Sequence, residues 1–286
     1  MIVITGASGQ LGRLVIEELL KTVPASSVVA AVRSPAKVQD LAARGVQVRE
    51  ANYDQPQTLA SAFRGADKLL LISSSEIGRR LPQHRALIEA ARAAGVGLLA
   101  YTSALHADVS AVPVAGEHRE TEGLLKASGV PHVLLRNGWY TENYLMSLPA
   151  VLQHGALIGA AGDGRIASAS RSDFAAAAAA VLVSDGQAGK VYELAGDSSF
   201  TLAELAAEIG RQVGRPIPYR NLPESDYRGA LMGAGLPEPV ATMVARSDTA
   251  AAQGALFDDG RQLSRLIGRP TTPFATTLAA ALAAAR

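Results

Sequence analysis

The fold is decided at the start of the chain, by the stretch Ile2-Val3-Ile4-Thr5-Gly6-Ala7-Ser8-Gly9-Gln10-Leu11-Gly12. Its apolar beginning predicts a strand, its glycines predict a tight turn, and the amphipathic pattern of residues 14–21 predicts a helix directly afterwards. This order forms the phosphate-binding unit of dinucleotide sites, because a pyrophosphate must approach backbone N–H groups and the positive end of a helix. We therefore predict a dinucleotide site; a glycine turn that binds no nucleotide is the alternative.

Each glycine of the turn has its own expected role. Gly6 lets the chain turn sharply, Gly9 leaves room for the phosphates, and Gly12 lets the helix lie against its strand. The spacing is G-x-x-G-x-x-G rather than G-x-G-x-x-G, which favours the short-chain dehydrogenase lineage.

The end of the second predicted strand, residues 27–33, indicates which nucleotide binds. An acidic side chain at this position holds the ribose 2′-OH of NAD, whereas a basic one holds the 2′-phosphate of NADP. The strand ends in Arg33, and no Asp or Glu occurs between Lys21 and Gln39. Arg33, with Lys37 nearby, offers a planar fork and a second positive charge, so the predicted cofactor is NADPH. The alternative is that Arg33 only ends the strand at the surface.

Predicted strands and helices alternate along the first half of the chain. The strands cover residues 2–5, 27–33, 46–50, 68–72, 98–102 and 132–136, and the helices after the first one cover residues 35–43, 57–63, 82–93 and 117–128. Such alternation predicts an α/β fold with a Rossmann-type, doubly wound parallel sheet, whose ligand lies beyond the carboxyl ends of the strands. We assign residues 1–136 to an NADP-binding Rossmann domain. Residues 137–286 form a second, smaller α/β domain on the substrate side, with part of residues 157–195 returning to the Rossmann sheet.

The composition sets outer limits on function. The chain has 286 residues, 48% of them hydrophobic, with a formal net charge of +1 and no basic block, so nucleic acid and membranes are not expected partners. It has no cysteine, charged leader or long apolar stretch, which predicts a cytoplasmic, soluble protein. The alanine-rich residues 174–183 predict a helix packed on the sheet, with Ser172-Asp173 as its cap. No pattern indicates the oligomeric state.

The reaction is constrained by a pair that is missing. Short-chain dehydrogenases carry Tyr-x-x-x-Lys, in which the lysine lowers the pKa of a proton-donating tyrosine. None of the seven tyrosines has a lysine four positions later, and the expected place holds Gly116-Glu117-His118-Arg119-Glu120-Thr121-Glu122. Either the protein is not a redox enzyme, or its substrate needs little acid catalysis.

Further stretches carry a resemblance to a known family. They are Lys21-Thr22-Val23-Pro24-Ala25-Ser26, Leu69-Leu70-Leu71-Ile72-Ser73-Ser74-Ser75-Glu76, Ala100-Tyr101-Thr102-Ser103, Leu135-Arg136-Asn137-Gly138-Trp139-Tyr140-Thr141-Glu142-Asn143-Tyr144, Gly159-Ala160-Ala161-Gly162-Asp163-Gly164, Lys190-Val191-Tyr192-Glu193-Leu194-Ala195-Gly196-Asp197 and Leu266-Ile267-Gly268. With the glycine turn, they make nearly the whole chain resemble the NmrA-like, atypical short-chain dehydrogenase family. The resemblance implies a Rossmann-type fold and hydride transfer from NADPH to a quinone, without flavin or metal.

The resemblance also implies a set of cofactor residues. They are Gly6, Ala7, Ser8, Gly9, Gln10, Leu11, Arg33, Ser73, Ser74, Ser75, Asn137, Gly138, Trp139, Tyr140, Thr141 and Glu142, followed by Ala169 and Arg171. Members of the family that reduce cationic dyes leave the acceptor open. Non-catalytic members that sense NADP(H) make a redox sensor or regulator the alternative function.

A quinone acceptor agrees with the missing tyrosine. Hydride transfer to a ketone leaves an alkoxide with a pKa of about 16, whereas a quinone first gives a phenolate with a pKa of about 10. At about 1.4 kcal/mol per pKa unit, this difference removes the need for roughly 8 kcal/mol of stabilisation by a proton donor. Positioning the two reactants away from water is then most of the task.

Several side chains, most of them just past the sixth predicted strand, are candidates for substrate contact. Trp139, Tyr140 and Tyr144 can stack on a flat quinone, or can fill the junction between domains. Asn137 can bind the nicotinamide carboxamide, or can close a turn. His118 can donate a proton to the quinone oxygen, although a lone histidine at a helix start is more often structural. The remaining histidines have no ligand spacing, so no metal site is predicted.

Overall fold

The computed structural model describes residues 1–76 and 78–284. Its strands are β1 (Ile2–Thr5), β2 (Val28–Val32), β3 (Gln47–Glu50), β4 (Lys68–Leu71), β5 (Leu98–Ala104), β6 (His132–Asn137), β7 (Leu157–Gly159), β8 (Val191–Leu194) and β9 (Tyr219–Asn221). Its helices are α1 (Gln10–Leu19), α2 (Gln39–Ala43), α3 (Pro56–Ala62), α4 (Arg80–Ala93), α5 (Ala115–Ser128), α6 (Thr141–Leu145), α7 (Leu148–His154), α8 (Arg171–Val183), α9 (Leu202–Val213), α10 (Glu224–Gly233), α11 (Glu238–Ala252), α12 (Gln262–Ile267) and α13 (Phe274–Ala284).

Seven strands form one parallel sheet in the order β3-β2-β1-β4-β5-β6-β8. The predicted doubly wound α/β fold is therefore confirmed. The strand order reverses between β1 and β4, and the crevice at such a switch point is where ligands of open α/β sheets bind. β8 lies far along the chain and yet pairs with β6. The predicted division at residue 137 stays a prediction.

Apolar layers cover both faces of the sheet. One face packs against α1, α8 and α12, and the other against α3, α4 and α5. The alanines of α8 are mostly buried, since small side chains let this helix lie close to α1. The predicted cap of α8 at Ser172-Asp173 was wrong. Ser170 precedes the helix with extended backbone and accepts a hydrogen bond from the Asp173 N–H, whereas Ser172 already lies in the first turn.

A second lobe packs around a separate apolar core, which includes Leu148, Leu157, Leu205 and Leu256. It contains the two-stranded parallel sheet of β7 and β9, and its core includes Phe200, which stacks at 4.5 Å between ring centroids on Phe274. The segment after β6 joins this lobe to the large sheet, and Tyr140 forms a bridge to Ala169 there. No helix in the described part of the chain has both the length and the apolar character that a membrane crossing requires.

Candidate active site

The glycine turn connects β1 to α1 with very little space. Gly6 has a φ of +59°, in the left-handed region, and its carbonyl accepts a hydrogen bond from the Gly9 N–H. A Cβ on Gly12 would lie 2.5 Å from the Gly6 oxygen, so only glycine lets the helix start this close to the strand. The first turn of α1 has neither a side-chain cap nor an acidic residue. Its N–H groups are therefore free to bind an anion.

A cavity of about 620 Å³, here called the larger cavity, begins at this turn. Its volume is typical of small-molecule sites. It runs past the carboxyl ends of β1, β2 and β4, and its lining comprises Gly6, Ser8, Gly9, Gln10, Leu11, Gly12, Ala31, Val32, Arg33, Ser34, Lys37, Ala51, Asn52, Tyr53, Asp54, Ile72, Ser73, Ser74, Ser75, Glu76, Gln83 and Arg171.

The end of the larger cavity at β2 is positively charged. Arg33 and Lys37 both line it, and the Arg33 side chain is 70% exposed. The Arg33 guanidinium donates a hydrogen bond to Glu76 at 3.1 Å, and Glu76 also accepts from Arg79 and Gln83. Arg33 is thus held at the cavity edge by a carboxylate that also accepts hydrogen bonds from two other side chains.

A second cavity of about 200 Å³, here called the smaller cavity, shares Ser73 with the larger one. Its lining comprises Ser73, Arg80, Ser103, Ala104, Leu105, Val112, Val114, His118, Asn137, Gly138, Trp139, Tyr140, Asn143 and Leu256. It thus combines the carboxyl ends of β5 and β6 with residues of α4, α5 and α6 and with Leu256 of the second lobe.

Asn137 presents an unused acceptor in this region. Its side chain is 8% exposed, and its Oδ1 atom has no hydrogen-bond partner within the described part of the chain. Its Nδ2 atom lies 3.5 Å from the Tyr140 hydroxyl. A buried carbonyl oxygen without a donor is costly, so a ligand N–H at this point would be stabilised.

His118 lines the smaller cavity as a neutral imidazole. It is 5% exposed, and its Nδ1 atom is hydrogen-bonded to the Tyr101 hydroxyl at 2.7 Å. Burial, and secondarily the charge of Arg80, lowers the pKa of His118 to about 3. Burial raises the pKa of Tyr101 far above its usual value. Neither group therefore resembles a proton donor tuned to neutral pH.

The structure brings most of the predicted site residues together. Of these residues, the larger cavity is lined by Gly6, Ser8, Gly9, Gln10, Leu11, Arg33, Ser73, Ser74, Ser75 and Arg171. The smaller cavity is lined by Asn137, Gly138, Trp139, Tyr140 and His118. Four others line neither cavity. Ala7 and Ala169 are buried in the core, Thr141 is hydrogen-bonded to Ser168, and the Glu142 carboxylate accepts from the Arg171 N–H.

Tyr144 is placed elsewhere. Its ring packs edge-on against Phe200, at 5.8 Å between centroids, in the core of the second lobe. It lines neither of the two cavities, because α6 turns its side chain toward that lobe. The role of Tyr144 in substrate contact stays a prediction.

Other cavity residues were missed by sequence reasoning. Arg80 and Gln83 follow the end of β4, and that position at the crevice was their only sequence signal. Tyr53 also follows a strand that borders the crevice, and Ser103, which the sequence placed at a polar strand end beside the groove, lies near the carboxyl end of β5. Leu256 had no signal, since only the folding of the second lobe brings it there.

Comparisons with known proteins agree with this geometry. The family described as NAD(P)H-binding matches residues 6–185, and the chain belongs to it. Over 278 residues the chain is 59% identical to quinone oxidoreductase 2 of Escherichia coli strain K12, which covers 97% of each chain.

Two solved structures are also similar. The NADPH complex of an NADPH-dependent quinone oxidoreductase from Escherichia coli superposes with a TM-score of 0.97 at 58% identity, covering 99% of this chain and 100% of that one. The NADP(H) complex of a triphenylmethane reductase from Citrobacter superposes with a TM-score of 0.94 at 37% identity, covering 98% of this chain and 100% of that one.

Proposed function

We propose that the protein is an NADPH-dependent quinone reductase. The observation that carries this proposal is the adjacency of two unlike cavities at Ser73. The larger one has a glycine turn and two cationic side chains, and the smaller one has aromatic and aliphatic walls. The similarity to a quinone oxidoreductase from Escherichia coli supports the quinone as the acceptor.

The residues of the larger cavity fit NADPH. A Cβ on Gly9 would lie 3.2 Å from the Gly6 oxygen and would enter the space that a pyrophosphate needs. Arg33 and Lys37 would hold the 2′-phosphate, and in the adjoining smaller cavity the unpaired Oδ1 of Asn137 would accept from the nicotinamide carboxamide. Glu142 holds Arg171 beside Tyr140, with the Arg171 Cζ 4.7 Å from the ring centroid.

The side chains around the smaller cavity act mainly by positioning the acceptor against the cofactor. When bound, NADPH supplies a hydride with its two electrons, so the quinone becomes a hydroquinone anion that gains one proton, and NADP⁺ remains. Trp139 and Tyr140 offer ring faces to a flat acceptor. Val112, Val114 and Leu256 exclude water from it. The neutral imidazole of His118 is too weak an acid to serve as the proton donor near pH 7, so the proton comes from water.

The proposal is tested by following NADPH absorbance with the purified protein, without added flavin or metal. We expect oxidation when a small benzoquinone or naphthoquinone is added, and a parallel assay with a triphenylmethane dye measures the second class of acceptor. Tight NADPH binding without turnover above the non-enzymatic rate would favour the redox sensor instead. The cytoplasmic location and the absence of nucleic-acid and membrane partners stay predictions.

A further inference from the structure

Arg80 is a buried cation at the wall of the smaller cavity. It is the first residue of α4, and it is 8% exposed. Its Nε–H donates to the Ser74 carbonyl, and one terminal nitrogen lies 3.5 Å from a Glu117 carboxylate oxygen. The other oxygen of Glu117 accepts from the Gly78 N–H at 2.8 Å. The guanidinium is therefore fixed in place from two sides.

The charge of Arg80 is only partly offset. The contact with Glu117 is long, and the Glu117 side chain is 22% exposed whereas that of Arg80 is 10% exposed. Among the described residues that line the smaller cavity, Arg80 carries the only formal charge, because His118 is neutral there. Burying a guanidinium is costly, and an apolar side chain of similar size would fill the same space at a lower cost. The cation is therefore unexplained by packing alone.

We propose that Arg80 is a catalytic residue that stabilises the negative charge on the quinone oxygen during hydride transfer. This inference rests on the proposed function. The hydride brings two electrons from the dihydronicotinamide to the quinone, which becomes a hydroquinone anion, and one oxygen then holds a full negative charge until water protonates it. A fixed cation beside that oxygen stabilises the charge as it develops.

The inference also accounts for the missing Tyr-x-x-x-Lys pair. A guanidinium does not lose its proton in the working pH range, so it stabilises an oxyanion without acting as an acid. His118 and Tyr101 are beside it, and neither supplies a positive charge. Charge stabilisation by Arg80 therefore takes the place of proton donation by a tyrosine.

The kinetic test compares Arg80→Gln with Arg80→Lys in single turnovers. We expect Arg80→Gln to reduce the hydride-transfer rate about 10- to 100-fold, the range in which a single charge-assisted donor falls. Arg80→Lys should keep most of the rate, and the NADPH affinity of both variants should stay within about twofold of the wild type. Arg85→Gln is the matched control, because Arg85 lies exposed on the same helix.

A series of quinones separates catalysis from a structural role. The loss of hydride-transfer rate in Arg80→Gln should grow as the product hydroquinone becomes less acidic, because the charge of its anion is then less well stabilised by the ring itself. An equal loss for every quinone, or a rate within twofold of the wild type, would overturn the inference and leave the proposed function intact. No quinone turnover by the wild type would overturn the proposed function and this inference together.

A binding measurement on the wild type needs no turnover, and two variants refine it. In the presence of NADP⁺, 4-nitrophenol serves as an analogue of the hydroquinone product, and its ionised form is yellow. We expect the wild type to lower the apparent pKa of the bound nitrophenol by about one unit or more, as a nearby opposite charge does. Arg80→Gln should abolish the shift and Arg85→Gln should keep it. An unshifted nitrophenol on the wild type would overturn the inference even if Arg80→Gln failed to fold.

Discussion

The two ends of the crevice are built in different ways. The end at the glycine turn is formed by consecutive residues of one strand, turn and helix, and it presents backbone N–H groups. The end at the smaller cavity is assembled from α4, β5, α5, the segment after β6 and Leu256 of the second lobe, and it presents side chains.

This difference determines how each end should respond to mutation. A backbone site has no spare space, so one added carbon removes several contacts together. A site made of separate side chains loses one contact with each substitution, and the rest remain. We therefore expect the largest single effects at the glycine turn and smaller ones at the smaller cavity.

The strongest test of the comparison is Gly9→Val. The first added carbon already lies 3.2 Å from the Gly6 oxygen, and the two methyl groups beyond it fill the phosphate position. A loss of about 3 kcal/mol from such a clash corresponds to roughly a hundredfold weaker binding, which we expect as a minimum for NADPH. Fluorescence titration measures it, with Gly123→Val as the control, since Gly123 has open space around it in α5. NADPH affinity within tenfold of the wild type would contradict the assigned phosphate position.

Arg33→Gln should have the next largest effect, and only on one cofactor. Loss of a charge-assisted pair with the 2′-phosphate costs about 1.5–3 kcal/mol, or roughly one to two powers of ten in affinity. NADH has no such phosphate, so its affinity should change by less than twofold. Titrations of both cofactors test this, with Arg44→Gln as a surface control that pairs with Glu17 instead. Equal losses for NADPH and NADH would show that Arg33 does not select the phosphate.

The same contrast explains how far the sequence could predict the molecule. Strand, turn and helix are adjacent in the chain at the phosphate end, so local pattern and glycine spacing sufficed for the fold, for the turn at Gly6 and for the close helix approach at Gly12. The phosphate role of Gly9 stays a prediction. Asn137 could also be placed, because it ends a strand that the alternation put at the crevice.

The positions of the other site residues depended on tertiary packing. Tyr140 and Tyr144 are four residues apart, yet one lines the smaller cavity and the other packs against Phe200. Sequence proximity does not determine where a side chain points once a helix begins between two residues. Arg80 and Leu256 reach the site only through the folding of separate segments, and no local pattern contains that information.

Asn137→Ala tests whether the smaller cavity also holds the cofactor. The proposed hydrogen bond to the carboxamide would be worth about 1 kcal/mol, so we expect the KM for NADPH to rise about fivefold while the fold is kept. Steady-state kinetics with varied NADPH measure it. Asn221→Ala, at the exposed end of β9, is the matched control. An unchanged KM together with a lowered thermal stability would mean that Asn137 only closes the turn after β6.

The smallest effect is expected for His118→Gln, in which glutamine can still accept the Tyr101 hydrogen bond. Burial holds the pKa of His118 near 3, so the imidazole carries no extra proton above about pH 4 and gains none as the pH falls from 9 to 6. The single-turnover rate of the wild type should therefore be nearly constant over that range. The rate of the variant should fall by less than about threefold, far from the 10²–10⁴-fold that a general acid contributes. Single turnovers are required because product release can hide the chemical step. A wild-type rate that rises toward acid pH with a midpoint near 6.5, and a rate that is constant with pH in His118→Gln, would together make His118 the proton donor. The smaller cavity would then depend on one side chain as strongly as the phosphate end depends on its glycines.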